Sequence, residues 1–264
     1  MAVPLSLVLT GRLLEGRTIV LCGAAREKGM GLTTAKLFAE HGANVAILDV
    51  DKEEVQQAAA SIPGGNATGI QIDIRDSKSC RDAISQVLQW EQSNGRIDAL
   101  VNFSGITQKR TVMEITEDDY ELVAAINLKG VVNLSQAVIP AMRAQKNGSI
   151  LHISSMSAQQ GGGIYGGAHY CATKAGVLGF VRALAKELGA DNIRANAITP
   201  GLTLTDFSRS GRSDEEKHAS AKGWPMARAA STQEMAGACL FLVSDLSTYV
   251  TGTTLDVNGG AYMH

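Results

Sequence analysis

At 264 residues, with 45% hydrophobic and 19% charged side chains, the chain is long enough to bury a sizeable core without staples. A net charge of −2, with Lys and Arg scattered rather than striped, argues against a nucleic-acid surface. No apolar run approaches the roughly 20 residues of a membrane span, and "MAVPLSLVLTGR" has no basic segment ahead of a long apolar one, so a cytoplasmic protein without a membrane or nucleic-acid partner is expected.

After an extension over 1–13, "RTIVLCG" (17–23) reads as a buried strand. "GLTTAKLFAEHGA" (31–43) has apolar residues at helical spacing. The strand "NVAILDV" (44–50), the helix "KEEVQQAAASI" and the strand "ATGIQIDI" (67–74) come next. A helix over 76–93 leads to the strand "IDALVNFSG" (97–105). One long helical stretch is expected from Thr116 to about Gln145, opened by a capping box of Thr116 and Asp119. The strand "SILHISS" (149–155), a helix over 168–189 and the strand "IRANAITPG" (193–201) follow. Two capped helices start at Ser213 and Ser231, and "TTLDVNGG" (253–260) is the last strand. Unbroken β-α alternation with near-continuous apolar strands predicts one domain, a doubly wound parallel sheet with helices on both faces. Such sheets bind ligands beyond the carboxyl ends of their strands.

Cys22, Cys80, Cys171 and Cys239 form no CxxC pair and read as small buried hydrophobes in a reducing compartment. The five histidines lack metal-ligand spacing, so no metal is expected.

The loop "CGAAREKGMG" (22–31) lies between the first strand and the first helix. Its glycines let the backbone turn and approach a pyrophosphate that sits on the helix N-terminus. Asp49 ends the second strand, where a carboxylate can accept both ribose hydroxyls of an adenosine. The pattern predicts dinucleotide binding.

Two tyrosines at helical i,i+4 spacing compete for chemistry, Tyr165 with His169 and Tyr170 with Lys174. A base working near neutral pH needs its pKa lowered from about 10. An ammonium one turn along favours the phenolate, whereas a histidine is mostly neutral at pH 7. Tyr170 is therefore the expected base; Tyr165 either lines the pocket or is a loop residue.

Along nearly its whole length, from about Leu14 to Met263, the sequence resembles the short-chain dehydrogenase/reductase family. The turn "NFSG" supplies Asn102, Ser104 and Gly105; "INLKG" supplies Asn127; "ISSM" supplies Ser155; and "YCATK" supplies Tyr170 and Lys174. "TPGLTLTD" (199–206) and "FLVSDLSTYVTGTTLDVNGG" (241–260) resemble later family segments. The resemblance implies a Rossmann fold with seven strands and an NAD(P)-dependent oxidoreductase acting on a secondary alcohol or its ketone. In it Tyr170 exchanges the proton, Ser155 bonds the reacting oxygen, Lys174 tunes Tyr170 and holds the nicotinamide ribose, and Asn127 holds a relay water. It implies cofactor contacts from Gly23, Gly29, Met30, Gly31, Asp49, Asp73, Ile74, Asn102, Ser104, Gly105, Pro200, Gly201, Thr203 and Thr205. The expected substrate pocket draws on Gln108, Ser157, Gln159, His169, Leu202 and Thr203, under a mobile lid over 205–222. Arg209 and Arg212 in that lid could reach a carboxylate. Asp49 predicts NAD over NADP, against Arg26 and Lys28 in the loop. The polar lining predicts a small polar substrate, a sugar, polyol or hydroxy acid.

Two spacings depart from the family pattern. Five residues separate Gly23 from Gly29 instead of three, as in enoyl-acyl-carrier reductases, although those use a longer Tyr–Lys spacing and Gly167 stands where such a tyrosine would be. Ser155 and Tyr170 are about two residues further apart than usual, with the extra length in "QQGGGIYGG". Two rival readings are a 3-oxoacyl-acyl-carrier-protein reductase and an inactive NAD sensor. The first expects two basic residues beside the pocket mouth, where Lys146 and Asp191 stand. The intact Asn127, Ser155, Tyr170 and Lys174 speak against the second. Val131, Val132, Leu178 and Val181 put apolar side chains on more than one face of their helices, and with the resemblance this implies a homotetramer.

Overall fold

A computed structural model describes residues 12–162, 166–207 and 213–264. β1 (Thr18–Cys22), β2 (Asn44–Asp49), β3 (Ala67–Gln71), β4 (Ala99–Asn102), β5 (Gly148–Ile153), β6 (Ile193–Pro200) and β7 (Thr254–Val257) form one sheet in the order 3-2-1-4-5-6-7. Every pairing is parallel; Cys22 lies opposite Leu48 of β2 on one side and Asn102 of β4 on the other. The expected strands are all present, but β3 and β4 are shorter than 67–74 and 97–105 because the chain turns away at their carboxyl ends.

Alternation along β1 splits the core in two. Val20 and Cys22 face α3 (Ser77–Gln89), α5 (Gly130–Gln145) and α7 (Ala168–Leu188), whereas Ile19 and Leu21 face α1 (Met30–Glu40), α2 (Lys52–Ala60) and α9 (Thr232–Val243). The central strands β1, β4, β5 and β6 are therefore buried on both faces, as the apolar runs predict, whereas the edge strands β3 and β7 are only partly covered. Close helix-to-strand approach is enforced where a side chain would not fit. A Cβ on Gly69 would lie 2.3 Å from the Val55 carbonyl oxygen.

The expected helical stretch from Thr116 to about Gln145 is present and unbroken over Glu117–Gln145, but its winding changes partway. α4 (Glu117–Ala124) passes into a π turn over Ala125–Lys129 before α5 resumes. The combined 29 residues are long and apolar enough, by length and composition alone, to cross a membrane. Their inward residues, Val131, Leu134, Val138 and Met142, pack against the sheet, so the apolar character is accounted for by the core. Of the cysteines, Cys22, Cys80 and Cys239 are buried as expected. Cys171 is only half-buried, because it follows Tyr170 on the side of α7 nearest Gly162 and Gly166.

His152 stands near the carboxyl end of β5, fully buried, with Nε2 2.9 Å from the Ser135 hydroxyl and Nδ1 without a partner. Burial first, and the Lys174 charge second, push its pKa from 6.5 down to about 3. The unfolded chain therefore binds a proton that the native state refuses between about pH 6.5 and 3. Stability held above that window is lost as the pH falls through it, by up to about 1.4 kcal/mol per pH unit. Urea unfolding should show the midpoint falling more between about pH 7 and pH 5 in the wild type than in His152→Leu. Equal falls would mean that other groups control acid stability.

Candidate active site

The carboxyl ends of β1 and β4 meet at a point that tolerates no side chain. Gly23 has φ +71°, and a Cβ there would lie 2.5 Å from the Ser104 backbone nitrogen. In the first turn of α1, a Cβ on Gly31 would lie 2.5 Å from Ala24 Cα. The helix thus starts against the strand end. The two extra loop residues are absorbed by a tight turn in which Gly29 N–H donates to the Arg26 carbonyl at 3.0 Å.

α1, like α7, starts at a glycine without a side-chain cap, whereas five other helices are closed. Asp51, Asp76, Thr116, Ser213 and Ser231 accept backbone N–H groups at the starts of α2, α3, α4, α8 (Asp214–Ser220) and α9. Gly29 caps α1 without a side-chain bond, and no acidic residue lies in the first turn. Unfilled N–H groups at a positive helix end suit a phosphate. Asp49 hangs beside this loop, half-buried. Its Oδ2 accepts from Ala25 N–H at 3.2 Å and its Oδ1 from Val50 N–H at 2.8 Å. The open helix end, the glycine cradle and the adjacent carboxylate fit a dinucleotide.

Asp73 and Ile74 also have partners within the chain. Arg75 forks the Asp73 carboxylate at 2.6–3.1 Å, holding it below the usual carboxylate range. The Ile74 carbonyl accepts from Asn133 at 2.8 Å. In the turn after β4, Asn102 Oδ1 accepts from Ser104 N–H at 3.0 Å. Across the sheet end, Gly201 leaves space only for the Asn258 backbone, 2.8 Å from where its Cβ would be. Thr203 and Thr205 are buried beyond it.

At the start of α7, Tyr170 and Lys174 share a face, with Lys174 Nζ 5.9 Å from the Tyr170 ring centroid. Both are buried. Burial raises the Tyr170 phenol to about 12, against the opposing hydrogen bond from Ser155. Burial lowers the Lys174 ammonium to about 8. The ammonium donates to the Ile153 carbonyl at 2.8 Å. In this state Tyr170 is a proton donor at neutral pH.

The Ser155 hydroxyl meets Tyr170 and accepts from Ser157 N–H at 3.1 Å. Its own proton is directed at the Tyr170 oxygen in this state. Asn127 falls in the π turn, and its amide is committed in both directions. Oδ1 accepts from Ile106 N–H at 2.8 Å, and Nδ2 donates to the Ile106 carbonyl at 2.9 Å. Gly105 completes the cluster, since a Cβ there would lie 3.1 Å from Lys174 Nζ and 3.3 Å from Asn127 Oδ1.

Of the expected substrate residues, His169 is buried, with Nε2 2.8 Å from Gln108 Oε1 and Nδ1 without a partner. Burial lowers its pKa, so the ring is neutral. Gln159 Oε1, in α6 (Ser157–Gln160), is likewise buried without a partner. Leu202 lies apart from them. It lines a cavity of about 300 Å³ with Trp224, Met226, Met235 and Val257, and none of Ser155, Ser157 or Tyr170 lines that space. Tyr165, Arg209 and Arg212 lie outside the described residues. Sequence reasoning missed Phe207, whose ring centroid is 6.4 Å from that of Tyr170. The only available signal was its place in the expected lid.

Residues 23–262 match a family model described as enoyl-(acyl carrier protein) reductase. An uncharacterized short-chain type dehydrogenase/reductase of Sinorhizobium fredii, y4mP, is 46% identical over 96% of this chain and 100% of its own. The 3-oxoacyl-(acyl-carrier-protein) reductase FabG of Thermotoga maritima is 36% identical over 94% of this chain and 98% of its own. Among solved structures, a 3-oxoacyl-(acyl-carrier protein) reductase from Brucella melitensis aligns with TM-score 0.87 at 33% identity, covering 100% of this chain and 97% of that one.

Tyr170→Phe keeps the ring and deletes the hydroxyl. Turnover should fall by about 10²–10⁴-fold, the range for loss of a general acid or base, while the melting temperature stays within a few degrees. Retained turnover would remove Tyr170 from the chemistry.

Proposed function

The chain belongs to the short-chain dehydrogenase/reductase family, oxidoreductases that act on CH–OH groups with a nicotinamide cofactor, and we propose that it uses NAD to interconvert a secondary alcohol and its ketone on a small polar substrate. When bound, the nicotinamide carries the hydride. The chain's own residues bind, orient and handle the proton. The open amides of α1 hold the pyrophosphate, and Asp49 accepts the ribose hydroxyls. Ser155 and Tyr170 present two hydroxyls to one oxygen. A carbonyl held between them is polarised by both donors, and the phenol, protonated at neutral pH, delivers the proton as the alcohol forms. In oxidation the proton returns to Tyr170. Lys174, desolvated and pinned to the Ile153 carbonyl, supplies the nearby positive charge that stabilises the phenolate left when Tyr170 gives up its proton in reduction and needed to accept one in oxidation.

NAD is preferred because a 2′-phosphate would face Asp49. Two like charges at about 4 Å repel by roughly 1 kcal/mol in water and 4 near a protein surface, enough to outweigh help from exposed Arg26 or Lys28. The polar substrate rests on one observation, the two buried acceptors without donors, Gln159 Oε1 and His169 Nδ1. Buried polar atoms ordinarily have partners, and a hydroxylated ligand brings donors. As the family's oligomeric habit suggests, the protein is proposed to act as a homotetramer.

Reduction of 3-oxoacyl-carrier-protein is the second reading, favoured by the names of the relatives. Against it, Asp191 accepts from Lys146 at 2.6 Å and from Arg143 at 2.9 Å. The cations at that edge are thus partly neutralised toward an acidic carrier.

Initial rates should be compared with NAD and NADP across polyols, sugars, hydroxy acids and 3-hydroxyacyl thioesters. NAD should give about tenfold higher kcat/KM or more, as a 1.4 kcal/mol repulsion requires. Higher efficiency with NADP would overturn the role of Asp49. Faster turnover of the thioesters would restore the acyl reductase reading.

A further inference from the structure

Lys217 is a buried charge for which the chemistry above has no use. It lies in α8 with its side chain 6% exposed. Its Nζ donates to the Thr205 carbonyl at 2.8 Å, while the nearest carboxylate, Asp214 Oδ1, is 3.6 Å away and 63% exposed. A desolvated ammonium is costly unless it is well paired. The carboxylate is too far for a good hydrogen bond, so the carbonyl is the main contact. An aliphatic side chain would fill the space without that penalty, which points to the contact itself.

That contact joins α8 to the segment beyond β6. Thr205 N–H donates to the Thr203 carbonyl at 2.9 Å, and Thr203 pairs with Ala230 in an isolated bridge. The Thr205 hydroxyl receives Phe207 N–H at 3.4 Å, and the Phe207 ring stands 6.4 Å from Tyr170. One ammonium thus fixes the carbonyl of a residue whose hydroxyl receives the Phe207 amide, and the Phe207 ring stands beside Tyr170.

We propose that Lys217 is a positioning residue, whose charge on the Thr205 carbonyl holds the Thr205 hydroxyl and the Phe207 ring in register with the cofactor and with Tyr170. The proposal rests on the functional reading given above for Thr205 and Tyr170. Lys217 touches neither substrate nor cofactor, so its loss acts on binding more than on the bound complex.

The test compares Lys217→Met and Lys217→Arg with the wild type. Calorimetric NAD affinity, substrate KM, kcat, melting temperature and amide hydrogen exchange at Thr205 and Phe207 are measured in each. Lys217→Met should raise the NAD Kd and the KM about tenfold, the scale of one charge-assisted hydrogen bond. Its kcat should stay within about threefold, below the change in binding, and exchange at Thr205 and Phe207 should quicken. Lys217→Arg should recover most of the affinity. Wild-type Kd and KM in Lys217→Met, with only a lowered melting temperature, would overturn the proposal. So would unchanged exchange at the two amides. If Lys217→Met does not fold, Lys217→Gln takes its place, keeping a donor without the charge; unchanged binding and exchange in it sink the idea equally. If the wild type itself binds no nicotinamide cofactor, the functional reading fails, and exchange at Thr205 and Phe207 still decides the latch.

Discussion

The molecule depends on one reversal. A parallel sheet carries its connections on one face or the other, and here the order 3-2-1-4-5-6-7 changes direction between β1 and β4. Helices leaving those strands diverge, so a crevice opens at their carboxyl ends without any residue being spent to make it. What the sequence adds is the licence to approach. Gly23, Gly31 and Gly105 stand where a Cβ would strike Ser104, Ala24 or Lys174. The loop after β1, the turn after β4 and the start of α7 therefore converge within reach of one extended ligand.

Inside that crevice, burial sets the chemistry. Desolvation moves the phenol of Tyr170 up to about 12 and the ammonium of Lys174 down to about 8, so each is pushed toward its neutral form. At neutral pH the phenol is then neutral while the lysine keeps its charge, with the Ile153 carbonyl accepting from its ammonium. Placing charge in such a site costs least when another charge arrives with it.

Much of this was legible beforehand, for identifiable reasons. Continuous apolar strands and capped amphipathic helices are local patterns, and they give the α/β order and the parallel sheet directly. The Tyr170–Lys174 face follows from helical spacing alone. The π turn at Ala125–Lys129 was not legible, because "AINLKG" has the same apolar rhythm as the helices on either side. Its cause is tertiary: the Asn127 amide mimics a peptide group and pairs with both backbone groups of Ile106. The partners of Lys174 and Lys217 were hidden for a related reason. Both are main-chain carbonyls, of Ile153 and Thr205, and a carbonyl leaves no mark in a sequence. Leu202 was placed by its position after the Pro-Gly pair, but the neighbouring Met226 and Met235 draw it into a separate cavity.

The unfinished start of α1 has a consequence for the protein as a thermodynamic object. Its neighbours carry their own caps, whereas α1 borrows one. A ligand that fills those amides binds the native chain and not the unfolded one, so it drags the folding equilibrium with it. At 100 times its dissociation constant, it adds about 2.7 kcal/mol to the native state. The lifetime of the chain in a cell is then tied to the size of a metabolite pool, and a fall in that pool withdraws protection from the helix around which the crevice is built.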